Sequence, residues 1–516
     1  MKALTARLDD WINPIAMKEL RQAVRGKFVM VALILSLLAQ LVTVAVLSIM
    51  TALQGNPQAA GPGAFTVIFS VVFTAGIFFV PMYTGFRMAA ERSDANVDLL
   101  FITTIRPRTI VFGKLQAVAG IVVLLYSASL PFLVFSYVLR GVDFVTIGIL
   151  LALAMAVVIS QSIVALFIGA LPTSRPFKIL LAIGFFFGTF AVYAPVLGFA
   201  SELLRFGTPM IAGAPQFWLL FASFAAIVVT VDAMLLVLTT AMITPAAANR
   251  ALPIRVMMVV VWLLSFAPPL WAAIEHRADE GLLIWAIAQL ALITIVLLSA
   301  TSERESWGAR VARTIPKNPK VRPLAFLFYS GAAGGTIWSV LMYAATILVY
   351  WRVGLATKSL TAAQATTIST FLIDGAVAML AYAMTAVLLR RTLLKRVPAS
   401  RTWGLALGVF MLLTVLPPIA ILTRDAEAMD WTTYVHITTL ANPFPTMQRP
   451  EELQLARTLF LVVWAALVTS ANAPWFLAQI QKFKPSTRQP DNPTTPTTQQ
   501  PSNPATQQPI PELASE

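Results

Sequence analysis

The chain has 516 residues, 58% of them hydrophobic and only 12% charged, with a formal net charge of +14 and a mean hydropathy of +0.78. That composition excludes a water-soluble domain and points to a polytopic membrane protein. The absence of cysteine excludes a disulfide framework, a thiolate metal site and a cysteine nucleophile.

Residues 1–28 form a polar, charged leader in which Leu4, Leu8, Trp11, Ile12 and Ile15 recur at steps of three and four, with Arg7, Lys18, Arg21 and Arg25 as the basic complement. The pattern predicts an amphipathic helix in the cytoplasmic interface, with Trp11 at headgroup depth and a bend at Pro14. Its polarity argues against a cleavable signal. Twelve apolar runs follow, at 29–51, 64–86, 114–138, 145–171, 177–200, 216–243, 255–274, 281–300, 325–350, 367–389, 403–423 and 457–479. Each is long enough to cross about 30 Å of hydrocarbon as a helix, the element that satisfies its own backbone in lipid. The expected fold is therefore an all-α bundle of twelve spans, divided into halves at 29–250 and 251–480. Residues 481–516, rich in Pro, Thr and Gln, read as a disordered cytoplasmic tail.

Sidedness follows from the basic residues, which stay on the cytoplasmic side of short loops. An inner N-terminus places 29 of the 37 Lys and Arg residues on the inner face and 8 on the outer. Both termini are then cytoplasmic, as an even number of spans requires. The same rule accounts for a pI of about 10.2 without any nucleic-acid partner.

Little in the chain suggests bond-making chemistry. The only histidines, His276 and His436, fall in predicted outer loops, and no paired carboxylates or metal-ligand spacings occur. With no G-x-x-x-x-G-K-[ST] phosphate cradle, the chain reads as neither an ATPase nor any other enzyme, and as needing no cofactor. Gly331 to Gly335 lie in an apolar run and are expected to allow close helix packing. Asp232, in the middle of the sixth span, reads equally as a polar group on a substrate path and as a carboxyl bonded to Gln161 or Ser162. Asp374 is expected within about two turns of the outer surface, reaching water there. A proton relay would show more intramembrane acids than these.

The remaining polar feature is ERSDANVDLLFITTIRPRTIVFGK, residues 91–114, between the second and third spans. As a helix it sets Asp94 and Asp98 on one face and Val97, Leu100 and Phe101 on another, with Pro107 in the first turn of the helix that enters the third span. It reads equally as a docking knob for a cytoplasmic partner and as a solvated loop lying on headgroups.

Two segments resemble the membrane subunits, or permeases, of the type-two ABC exporter family. NPIAMKELR at 13–21 is similar to the family's N-P-x-x-x-K-E-L-R before the first span. The 91–114 stretch is similar to E-R-E-x-G-T-L-[DE]-L-L followed by [ST]-P-L-S-P-x-E-I-V-L-G-K, matching at Glu91, Arg92, Asp98, Leu99, Leu100, Thr103, Pro107, Ile110, Val111, Gly113 and Lys114. It departs at Ser93, Ala95, Thr104, Arg106 and Thr109. The resemblance implies an inner-membrane export permease powered by a separate cytoplasmic ATP-binding subunit. It makes 87–113 a coupling loop in which Leu99, Leu100 and Phe101 dock while Glu91, Arg92, Asp98 and Pro107 hold the knob, and in which Lys18 and Glu19 of the leading helix brace the same partner. Asp232 is then the pathway candidate. Family members commonly have six spans and act in pairs, so twelve spans imply either a duplicated chain or a homodimeric or heteromeric pair. Glu303-Arg304 takes the place of Glu91-Arg92 in a duplication, with Pro319 sixteen residues on, as Pro107 is from Glu91. Segment 424–456 falls where the family has an outer re-entrant element, an exit-side cap. The rivals are a proton-coupled secondary transporter and a non-transporting scaffold of an assembly or secretion complex.

Overall fold

A computed structural model describes residues 13–54, 61–93, 106–138, 142–173, 175–206, 215–245, 248–275, 280–358, 361–415 and 451–485. These residues are all-helical, with no strand among them. A short helix, α1 (Pro14–Arg25), precedes six long ones: α2 (Lys27–Gln54), α3 (Gly61–Ser93), α4 (Pro107–Val138), α5 (Phe144–Ala170), α6 (Arg175–Phe206) and α7 (Pro215–Ile243). The second half holds α8 (Ala251–Glu275), α9 (Glu280–Thr301), two short helices α10 (Ala309–Ala312) and α11 (Arg322–Phe328), then α12 (Ala332–Ala356) and α13 (Ala362–Thr392). It ends in α14 (Thr402–Phe410), α15 (Glu451–Ala471) and α16 (Ala473–Lys482).

Ten of the described helices are long and apolar enough to cross a membrane, α2 to α9, α12 and α13, or eleven if the bent pair α15–α16 is one span. The first ten predicted runs thus coincide with ten spans. The eleventh run, 403–423, is described only to residue 415, as a shorter apolar helix over Ala399–Thr414. The twelfth is broken by 49° between Ala471 and Ala473, where Pro474 removes a backbone donor. The ninth starts later than predicted, because α11 ends at Phe328 and a new helix begins at Ala332. Glycines let the new helix pack tightly after that break: a Cβ at Gly334 would stand 2.2 Å from the Phe326 carbonyl oxygen, and one at Gly335 would stand 2.4 Å from both Ala300 Cβ and Arg255 Nη2. The close packing expected of Gly331–Gly335 is present, in the form of a tight turn against a neighbouring helix.

Polar residues set the helix starts. Asn13 caps α1 by accepting from Ile15 N at 3.0 Å, so Pro14 opens this helix rather than bending one. Asp143 caps α5 through Thr146 N at 2.9 Å, and Thr361 and Gln364 form a capping box on α13. Gly26, extended at φ −75° and ψ 135°, is the single residue between α1 and α2.

The first half is built around α3. Its Phe65, Ile68, Phe69, Val72, Phe73 and Ile77 are fully buried, and Phe65, Phe69, Phe73 and Tyr193 stack in sequence at 5.7, 5.9 and 5.5 Å. Where α3 crosses α5, a Cβ on Gly169 would lie 2.6 Å from the Gly85 carbonyl oxygen, so the helices touch backbone to backbone. In contrast α2 and α6 expose most of their apolar surface, as lipid-facing helices do. The second core joins α9, α12, α13 and α15 around Tyr343, Met384 and Val387. Met234 of α7 packs with Met258, Val296 and Trp338 and ties the halves together.

Candidate functional site

Residues of the two family-like motifs, far apart in sequence, meet at one end of the first half. Helix α1 lies along α4 because Gly113 and Gly120, two turns apart, leave room for it. A Cβ at Gly113 would come within 2.9 Å of Asn13 Nδ2 and Ile15 Cβ, and one at Gly120 within 3.1 Å of Leu20. Asn13 Nδ2 donates to the Thr109 carbonyl at 2.6 Å and pins the start of α1 to the first turn of α4. Ala16, Glu19 and Ala23 form the buried face of α1.

Glu19 is the centre of a four-charge cluster. Its Oε1 accepts from Lys114 Nζ at 3.0 Å and its Oε2 from Arg87 Nε at 3.3 Å. Glu91, one turn beyond Arg87 on α3, reaches the same lysine at 2.7 Å. Two acids and two bases cancel, so three helices are joined by charges that leave no uncompensated one in a poorly hydrated place. Burial alone would raise the Glu19 pKa. Lys114 and Arg87 outweigh it and hold the carboxyl below its usual range.

The other face of α1 is open. Lys18 projects outward, and with Arg21, Arg25 and Arg87 it lines a cleft of about 820 Å³. Lys18 and Glu19 are therefore divided between an outer cationic surface and an inner ionic joint. Pro107 is the first residue of α4. The side chain of Arg92, and all of Asp98, Leu99, Leu100 and Phe101, lie outside the described residues, as do residues 424–450 of the expected outer cap.

A second ionic joint lies in the second half, where α8 meets the end of α9. Glu303, just beyond the end of α9, accepts from Arg255 Nη2 at 3.0 and 2.9 Å through its two oxygens, and at 2.5 Å from the backbone N–H of Gly331. Arg255, only 1% exposed, also donates to the carbonyls of Leu327 at 2.8 Å and Tyr329 at 2.6 Å. One cation serves here where two serve Glu19, and burial prevails: the Glu303 carboxyl is held above its usual range despite Arg255 and Gly331. Sequence reasoning passed over Arg255, although a lone arginine four residues into an apolar helix was the available signal.

The two membrane carboxylates sit in different surroundings. Asp232 on α7 is half-buried and accepts from Ser160 Oγ of α5 at 3.0 Å. Of the two partners expected from sequence, Gln161 and Ser162, the latter instead bonds its own helix at Val158 O. Asp374 does not reach water. It is 2% exposed and receives Arg457 Nε at 3.0 Å, the arginine itself being 3% exposed. Arg457 reads as an outer-loop cation from sequence because it opens the last apolar run. No cluster of three or more His, Asp or Glu able to hold a metal occurs among the described residues. Set against known proteins, the chain matches no family model, no curated protein and no solved structure.

Proposed function

We propose that this chain is the membrane-spanning permease subunit of an ATP-driven exporter whose energy comes from a separate cytoplasmic ATP-binding subunit. The observation that carries the reading is the meeting of the two family-like motifs, with Glu19 of the first paired to Lys114 of the second at 3.0 Å. A joint of this kind makes α1, α3 and α4 move as one body, which a subunit driven from its cytoplasmic face requires. The cationic cleft around Lys18, Arg21 and Arg25 suits an acidic surface on the partner. Docking rests on Leu99, Leu100 and Phe101 in the adjoining loop.

In this reading the protein lies in the cytoplasmic membrane with twelve spans and both termini inside. Closure of the partner rocks the spans between inward-facing and outward-facing states, with Asp232 on the pathway. Glu91 and Glu303 follow the second span of their respective halves and each engages a buried cation, which favours one chain supplying both halves of the pore. The test is purification of the chain from mild detergent followed by reconstitution. An ATP-binding subunit should co-purify, and its turnover should rise in proteoliposomes containing the pair. Transport driven by a pH gradient with no such subunit would replace this reading with proton-coupled exchange.

A further inference from the structure

Lys18, Arg21 and Arg25 follow one another along α1 at steps of three and four, which sets them on one face of the helix over about 10 Å. All three are exposed, and they line the cleft of about 820 Å³ together with Met17, Gly26 and Arg87. Both walls of that cleft sit at the end of a span. Arg87 is four residues from the end of the apolar stretch Gly63–Glu91 of α3, and Gly26 directly precedes the stretch Lys27–Met50 of α2. Beyond Gly26 the surface turns apolar: Val31, Ile34, Leu35 and Leu38 of α2 are exposed. A cationic cleft therefore opens onto an apolar, poorly covered helix with one residue between them.

We propose that this cleft binds the headgroup of an anionic phospholipid whose acyl chains lie along α2. Cations at successive turns of one helix face attract a head of net negative charge, and the arginines offer paired N–H donors to phosphate oxygens. The chains need an apolar wall that starts where the cations stop. Helix α2 supplies that wall, and a soluble acidic protein would leave it unused. The inference rests on the proposed function in one respect, as regulation of the same site. A lipid seated on Lys18, Arg21 and Arg25 has to leave before an acidic surface of the ATP-binding subunit can reach them.

The experiment is native mass spectrometry of the full chain in an uncharged detergent, titrated with dioleoyl phosphatidylglycerol or dioleoyl phosphatidylcholine. The two lipids share phosphate and chains and differ in net head charge. The first phosphatidylglycerol should bind at least tenfold more tightly than the first phosphatidylcholine. Lys18→Gln, Arg21→Gln and Arg25→Gln combined should abolish that preference, and Arg21→Lys with Arg25→Lys should keep it. Removing the same charge from exposed positions of the second half, as Arg310→Gln, Arg313→Gln and Lys317→Gln, should leave the preference intact. Glycerophosphoglycerol, the same head without chains, should not displace the lipid at tenfold excess. Three results would overturn the proposal. Equal affinity for the two lipids leaves the cleft to the partner's acidic surface alone. Equal loss in both triple variants leaves only general attraction to a basic protein, and displacement by the free head leaves a site for soluble phosphate esters. No ATP-binding subunit is present in this assay, so its failure is separate from failure of the proposed function.

Discussion

Glu19 and Asp374 are both buried acids with cationic partners, and they test two different consequences of pairing. Glu19→Gln keeps the shape of the side chain but leaves Arg87 and Lys114 dependent on Glu91. It should lower the stability of the detergent-solubilised chain by about 1–3 kcal/mol. The loss should depend on pH. A carboxyl held below its ordinary value of 4.5 stabilises the fold above that pH, and its contribution fades as pH falls through the lower folded-state value. Wild-type and Glu19→Gln unfolding midpoints should therefore converge below about pH 4.5, and parallel curves would remove Glu19 from the joint. At Asp374, Arg457→Met alone strands a buried carboxylate and should cost about 3–5 kcal/mol. Asp374→Leu combined with Arg457→Met should recover most of that, as a thermal-melt double-mutant cycle would measure. These residues also mark the limit of the sequence reading. Glu19, Glu91 and Lys114 were visible through motif resemblance, although their mutual contact was not. Asp374 and Arg457 lie 83 positions apart, and hydropathy says nothing about which two charges face each other.

At the scale of elements, the apolar runs were legible because a span must be about 20 residues long and apolar throughout. Their interruptions were not. Residues 325–350 read as one apolar run, yet one helix ends at Phe328 and the next starts at Ala332, with Gly334 and Gly335 pressed against Phe326, Ala300 and Arg255. The bend before α16 was equally hidden. There Asn472 donates to Met384 O at 3.0 Å and accepts from Arg391 at 3.1 Å, contacts with residues more than 80 positions away. The docking of α1 depends on the same kind of bare contact. Gly113→Leu should push α1 off α4, since its Cβ alone would meet Asn13 and Ile15 at 2.9 Å. The native chain has no cysteine, so a single Ala23→Cys, at a position 1% exposed, reports the event. Soluble maleimide should leave it unlabelled in the wild-type background and label it when Gly113→Leu is added. Equal protection in both would mean that α1 holds its place without the glycine.

For the whole molecule, the charge distribution makes the most direct prediction. The 29-to-8 division of basic residues requires alkaline phosphatase fused after residue 430 to be active and the same enzyme fused after residue 320 or 395 to be inactive. Activity at either of the latter would reverse the sidedness of the second half. The halves are also unequal in construction. The first joins its spans through an ionic cluster beside an open cationic cleft, whereas the second seals Arg255 behind carbonyls and a carboxylate. The connection between α1 and α2 gives that inequality a mechanical meaning. Gly26 alone separates them, and α2 is among the helices least held by neighbours, with 17% of its apolar window buried. A link of one extended residue has almost no slack. A sideways displacement of α1 is therefore delivered to the end of a long rod that little else restrains, and α2 answers as the free arm of a lever whose short arm is α1.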